Sequence, residues 1–279
     1  MGDLKGMVGL VCIAVLAIAA VVAPYLSPYD PTAQSLRLRN MPPGTRGEDG
    51  GVHWLGTDQV GRDVLSRLLH GARVSLIVSV AAVGWSGTAG TLLGVLSGFH
   101  GRAVDAVLMR IADVQLAFPM VLLAIAWVAF LGTSLVSVIA VIGISGWVSY
   151  ARVSRGLALS LREEQFVEAA QALGSSSWRI VTRHILPNVT SAMVVIATLQ
   201  LGRAVLLEST LSFLGLGVQP PTPTWGGMLA DGRPYLDTAW WVATFPGIAI
   251  MVLVLGANLT GDSLRDFLDP RLAQRGAPG

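Results

Sequence analysis

Four stretches of this chain run without a charged side chain for the length of a membrane crossing: 6–29, 74–101, 114–151 and 238–261. A fifth, 185–202, is interrupted only at Arg203 and Glu208 before the uncharged text continues to residue 230. Backbone groups find no water in lipid, so such stretches must be helices of about 20 residues. Charged residues make up 13% of the chain, against about 25% in soluble domains. These features exclude an ordinary soluble core and predict an all-α polytopic membrane protein. The interval 114–151 is too long for one crossing and barely enough for two, with its single turn-like break at Leu131-Gly132-Thr133-Ser134. The third crossing must therefore begin before Asp113 and the fourth must run past Arg152. That gives six transmembrane helices, with Arg110, Asp113, Arg152 and Arg155 at the boundary, where long side chains snorkel. The apolar text 6–29 exceeds a signal-peptide core of about 7–15 residues and reads as an anchor. The expected division is 1–73 (first crossing plus an outer loop), 74–271 (five-helix core) and a tail, 272–279.

Six crossings put both termini on one side, together with 99–105 and 159–187. That second loop and its borders carry Arg152, Arg155, Arg162, Arg179 and Arg183, and the C-terminal stretch adds Arg265, Arg271 and Arg275. The positive-inside rule then places both termini and the 159–187 loop in the cytoplasm. The first outer loop opposes this with six arginines, weakened by its length and five acidic residues. The pI near 9.0 reads as loop asymmetry, not as a nucleic-acid surface.

Within 159–187 the pattern is two short helices joined at a glycine. Glu168-Ala169-Ala170 lies in the first, and Gly174-Ser175-Ser176-Ser177 breaks it. Trp178, Val181 and Ile185 form one apolar face of the second, which Pro187 is expected to end. In the outer loop, Gln59 to His70 reads as an amphipathic helix lying flat on the membrane. Ser86, Gly90, Gly94 and Gly98 are spaced by four on the second crossing. Such small residues let two helices approach closely, either within the subunit or toward a second one. Pro119 sits where it either starts the third crossing or kinks it. Arg203 and Glu208 in the fifth crossing are the costliest residues in lipid. Arg203 is a candidate for lining a polar pathway or for an ion pair with another crossing, and Glu208 is expected to reach the outer interface. Five residues apart, they sit about 140° around the helix and are not expected to pair.

Glu168-Ala169-Ala170, Gly174 and Leu186-Pro187, spaced as they are between two crossings, resemble the EAA loop of ABC importer permeases. Arg183-His184-Ile185-Leu186-Pro187-Asn188, the text LGTDQVGRDVLSRLLHGARVSL, Leu211 to Gly217 with Pro220-Pro221 and Trp225-Gly226, and the ending NLTGDSLRDFLDPR narrow this to the dipeptide/oligopeptide (nickel) transport family, C-type. The resemblance covers about 54–271 and implies the type I importer permease fold. It also implies a homologous B-type permease partner, two ATPase subunits docking on the loop, and an extracytoplasmic substrate-binding protein. The setting it implies is the bacterial or archaeal cytoplasmic membrane. It assigns ATPase coupling to Glu168, Ala169, Ala170, Gly174, Trp178, Ile185, Leu186 and Pro187, with Trp178 and Ile185 filling the ATPase groove. The rigid, proline-rich loop with Pro220, Pro221 and Trp225 becomes a docking surface for the binding protein.

A phosphate-binding P-loop needs glycines and a lysine, and the only lysine is Lys5. ATP and Mg are therefore expected on partner ATPases, with no cofactor in this chain. His53, His70, His100 and His184 lack ligand spacing, so no metal and no catalytic residue is expected. Cys12 stands alone. Other cargo within the family (nickel, glutathione, haem) stays open, as does a self-contained transporter or channel, which would call for midplane ionisable residues and internal repeats.

Overall fold

The computed structural model describes residues 2–47 and 50–268. Its helices are α1 (Gly2–Leu26), α2 (Val64–His100), α3 (Arg102–Leu116), α4 (Met120–Leu131) and α5 (Leu135–Arg162). They continue with α6 (Gln165–Ala172), α7 (Ser177–Ile180), α8 (Leu186–Phe213), α9 (Trp225–Gly232) and α10 (Trp241–Leu268). The fourth crossing does run past Arg152, as α5. The C-terminal 272–279, together with Arg271 and Arg275, lies outside the described residues.

Among the described residues, five helical runs are long and apolar enough to span a membrane, and α3 with α4 makes a sixth only as a pair bent by 97°. Where a straight third crossing was expected, the chain thus forms two helices bent at a break. Pro119 occupies the N-cap of α4 and cannot donate to the turn before it, so α3 stops at Leu116. The break is pinned onto α5 by Gln115. Its Nε2 donates to the carbonyls of Ile144 (2.9 Å) and Ser145 (3.3 Å), and its Oε1 accepts from Trp147 Nε1 at 2.8 Å.

The small-residue stripe of α2 packs inside the subunit, against α5. A Cβ added at Gly90 would fall 2.3 Å from the Trp147 carbonyl oxygen, at Gly94 2.2 Å from that of Ala151, and at Gly98 2.6 Å from that of Arg155. Lipid tails are as apolar as leucine, so this close backbone contact supplies the attraction that water exclusion gives a soluble core. Below it, charged side chains pair between helices instead of snorkelling alone: Arg152 Nη2 reaches Asp113 at 2.6 Å, and Arg155 Nη2 reaches Asp105 at 2.6 Å. On the far side α1 lies on α10, where Gly9 meets the Gly256 backbone and Gly6 meets Ser263.

These contacts sort the ends of the bundle. The start of α1, the α2–α3 turn, the α5–α8 loop and the end of α10 share one end. The other end holds 27–63 and 214–240, tied by Trp241 Nε1 donating to the Thr57 carbonyl at 3.0 Å.

Candidate functional site

The loop between α5 and α8 is built as expected in its first half. α6 ends in a glycine cap: Gly174, at φ +77°, donates its N–H to Gln171, and Ser175 donates to Ala170. A Cβ at Gly174 would touch nothing, so the glycine is required by backbone conformation and not by space. Ser176 then caps α7, its Oγ accepting from the Arg179 N–H.

The second half departs from expectation at Pro187. The proline does not end the segment; residues Ser177–Phe213 form one helical run into the membrane. A single wide turn at Val181–Ile185 accommodates it, with the Leu186 N–H reaching back five residues to Val181. Pro187 then stands in the first turn of α8, where its missing N–H matters least. Asn188 Nδ2 donates to the His184 carbonyl at 2.6 Å.

Ile185 is a second correction. It is fully buried in this chain's own core with Val95, Phe99, Val167, Ala170, Ile180 and Val189, so it anchors the loop to α2 and α8 and cannot enter a partner. Ala170 is buried in the same cluster and Leu186 packs on its edge. The outward face carries Glu168, Ala169, Gly174 and Pro187. Its exposed apolar side chains are Phe166, Leu173 (86% exposed) and Trp178 (71%). Sequence reasoning passed over Leu173, which precedes the glycine cap and has no helical face to announce it.

Glu208, expected at the outer interface, has no exposed surface. It is fully buried between α2 and α8, accepting from Ser75 Oγ at 3.1 Å and Ser212 Oγ at 2.8 Å, and lines no pathway. Arg203, five residues earlier, is exposed on the opposite side. It borders a cleft of about 210 Å³ that the α3–α4 break opens, with Gln115, Ser145, Ser149 and Gln200 on its walls. Its Nη1 donates to Gln200 Oε1 at 3.2 Å. Arg203 has no ion pair to another crossing among the described residues.

The end of the bundle that holds 27–63 and 214–240 is organised by a buried charge cluster that sequence reasoning missed. The expected flat amphipathic helix over Gln59 to His70 is not there: residues 59–61 turn, and α2 starts at Val64 and continues without a break into the membrane. Asp63 caps it, accepting from Ser66 N–H and Oγ at 2.7 Å and contacting His53 Nδ1 at 2.8 Å. Asp58, 1% exposed, accepts from Arg62 Nε at 2.6 Å, and Arg62 and Arg67 both reach Asp231 of α9, at 3.0 and 3.4 Å. Nearby, the Thr32 hydroxyl and N–H both donate to Asp30 and hold its carboxyl below the usual range. The signal was present as two Arg and two Asp within 58–67, three of them inside the stretch expected to form that amphipathic helix. Trp225 is likewise no docking residue. It is fully buried, its Nε1 donates to the Leu68 carbonyl at 3.0 Å, and its ring fills the space beside Gly71. Pro220 and Pro221 are exposed.

Comparison with known proteins agrees with this architecture. Residues 90–274 match the binding-protein-dependent transport system inner membrane component family, and residues 6–43 match the N-terminal transmembrane domain of oligopeptide transport permease C. The dipeptide transport system permease protein DppC of Alkalihalophilus pseudofirmus is 45% identical over 95% of this chain and 86% of its own length. The probable D,D-dipeptide transport system permease protein DdpC of Escherichia coli K12 is 41% identical over 94% of this chain and 86% of its own. The glutathione transport system permease protein GsiD of Pectobacterium atrosepticum is 42% identical over 95% and 86%. Among solved structures, an inward-facing MetNI methionine ABC transporter shares the fold, with TM-score 0.59 at 19% identity, covering 73% of this chain and 97% of the other. A multi-span helical bundle whose loop between α5 and α8 carries the EAA pattern, matched over most of its length by such relatives, belongs to the family of binding-protein-dependent ABC transport permeases, in its oligopeptide permease C branch.

Proposed function

We propose that this chain is the C-type permease subunit of an ATP-driven importer that moves dipeptides or oligopeptides from an extracytoplasmic binding protein into the cytoplasm. The observation that carries the coupling part is the two-sided loop. Val167, Ala170, Ile180, Val181 and Ile185 bury one side against α2, α5 and α8, while Phe166, Leu173 and Trp178 stand in the open on the other. Exposed apolar side chains on a polar loop suit a protein partner. Two ATPase subunits, one for this chain and one for a homologous B-type permease, would bind ATP and Mg and grip the exposed side. This chain contributes no catalytic group and holds no cofactor. The loop, both termini and the end of α10 face the cytoplasm, and 27–63 with 214–240 face outward, where Pro220 and Pro221 meet the binding protein. The peptide cargo rests on the named relatives.

Replacing Leu173 and Trp178 together by Asp tests the reading. The membrane fold stays intact, ATPase subunits no longer co-purify with the permease pair, and ATP-driven peptide uptake is lost. Unchanged co-purification and uptake would refute the docking surface. Transport by the purified chain alone, without ATPases, would refute the permease role altogether.

A further inference from the structure

We propose that Arg203 is the site in the membrane cavity that receives a carboxylate of the cargo, the free C-terminal carboxylate of a peptide. The assignment rests on the peptide-import reading above. Arg203 lies roughly 5 Å from the middle of α8, taken at 1.5 Å per residue, well inside the apolar layer. A cation at that depth is costly unless it faces water or an anion. Its own chain gives it little. One guanidinium nitrogen donates to Gln200 Oε1, and no carboxylate of the described residues lies within ion-pair distance. The one acid nearby in sequence, Glu208, is turned away and already bonded to Ser75 and Ser212.

What Arg203 does face is the 210 Å³ cleft, with room for a carboxylate and the residue bearing it. The rest of its lining is uncharged and mostly apolar, with Leu116, Phe118, Met120, Leu123 and Val148 beside Gln115, Ser145, Ser149 and Gln200. Gln115 is held by the Ile144 and Ser145 carbonyls and by Trp147, so it shapes the wall and has no free N–H to offer a carboxylate. Ser145 Oγ is committed to the Val141 carbonyl, so the guanidinium is the cleft's one charged donor. A planar guanidinium with unused N–H groups matches a carboxylate's two oxygens, and low surrounding polarity strengthens the contact. No bond is made or broken; the site holds cargo only until the cavity changes the side it faces.

The test uses the whole importer, with its permease pair, ATPases and binding protein, in proteoliposomes with dialanine and dialanine amide as cargo. The same binding protein serves every variant, so any change belongs to the permease. Arg203→Gln lowers dialanine uptake by roughly ten- to a hundredfold, the loss of one charge-assisted pair. It leaves amide uptake within twofold, so discrimination between the two collapses, and Arg203→Lys recovers part of the free-acid uptake. Equal loss for acid and amide, or no loss for either, overturns the assignment. So does separation of the permease pair in Arg203→Gln, which would make Arg203 an ion-pair partner of the second permease. If the unmodified importer takes up neither compound, the peptide reading itself has failed and the assignment falls with it. Normal uptake that ignores Arg203 overturns the assignment alone.

Discussion

Adding one methyl group at Gly94 measures how much of this fold is held by backbone-to-backbone contact. An alanine Cβ there would sit 2.2 Å from the Ala151 carbonyl oxygen, 2.8 Å from the Ala151 Cα and 2.0 Å from Ser154 Oγ. Ser154 can rotate, but the Ala151 backbone can yield only if α2 and α5 separate, and forced separation in a packed interior costs about 1–3 kcal/mol. Alanine is also the better helix former, by about 1 kcal/mol, which would mask part of the effect. Gly84 lies on the same helix with nothing within 4 Å of its added Cβ, so Gly84→Ala shows the propensity gain alone. The difference between the two variants is then the helix contact itself, about 1–3 kcal/mol. At about 2–4 °C per kcal/mol for a chain of this size, Gly94→Ala melts roughly 2–12 °C below Gly84→Ala. Thermal unfolding of the detergent-purified subunit, followed by size-exclusion fluorescence, reads that gap. Equal melting of the two variants would show that the stripe does not hold α2 to α5.

Two further outcomes follow from the end that holds 27–63 and 214–240. Trp225→Phe keeps most of the ring packing but removes the N–H that satisfies the Leu68 carbonyl, and lowers stability by about 1–3 kcal/mol in the same melting assay. Asp58→Asn keeps the shape but leaves Arg62 and Arg67 with only Asp231 for a counter-charge. Its cost is about 3–5 kcal/mol, seen as faster limited proteolysis within residues 30–63; unchanged cleavage would show that the cluster does not order that loop.

The crossings, the cap at Gly174 and the contact stripe at Gly90, Gly94 and Gly98 were legible because each rests on a local rule: length in lipid, φ above zero, spacing by four. What was hidden depended on partners distant in sequence. Arg62 and Arg67 gave no sign of burial because Asp231, which both reach, is 164 residues or more away. Trp225 looked like a loop residue because its acceptor is Leu68. Ile185 sat on an apolar face, correctly read, but periodicity cannot say whether such a face meets its own core or another protein. Pro187 misled for a different reason. The rule that proline stops a helix assumes four-residue hydrogen bonds, and one wider turn at Val181–Ile185 suspends it.

That wide turn joins the exposed end of the loop to the membrane as a single rod. Trp178 and Arg203 are 25 positions apart on the Ser177–Phe213 run, roughly 38 Å at 1.5 Å per residue. A tilt of about 5° imposed at Trp178, with the pivot near Arg203, moves the loop end by roughly 3 Å along that length. Had Pro187 broken the helix, the same push would have been spent in a hinge at the membrane surface. With the pivot placed there, a movement delivered from outside the bilayer would turn directly into rotation at the cleft, with α8 itself as the lever arm.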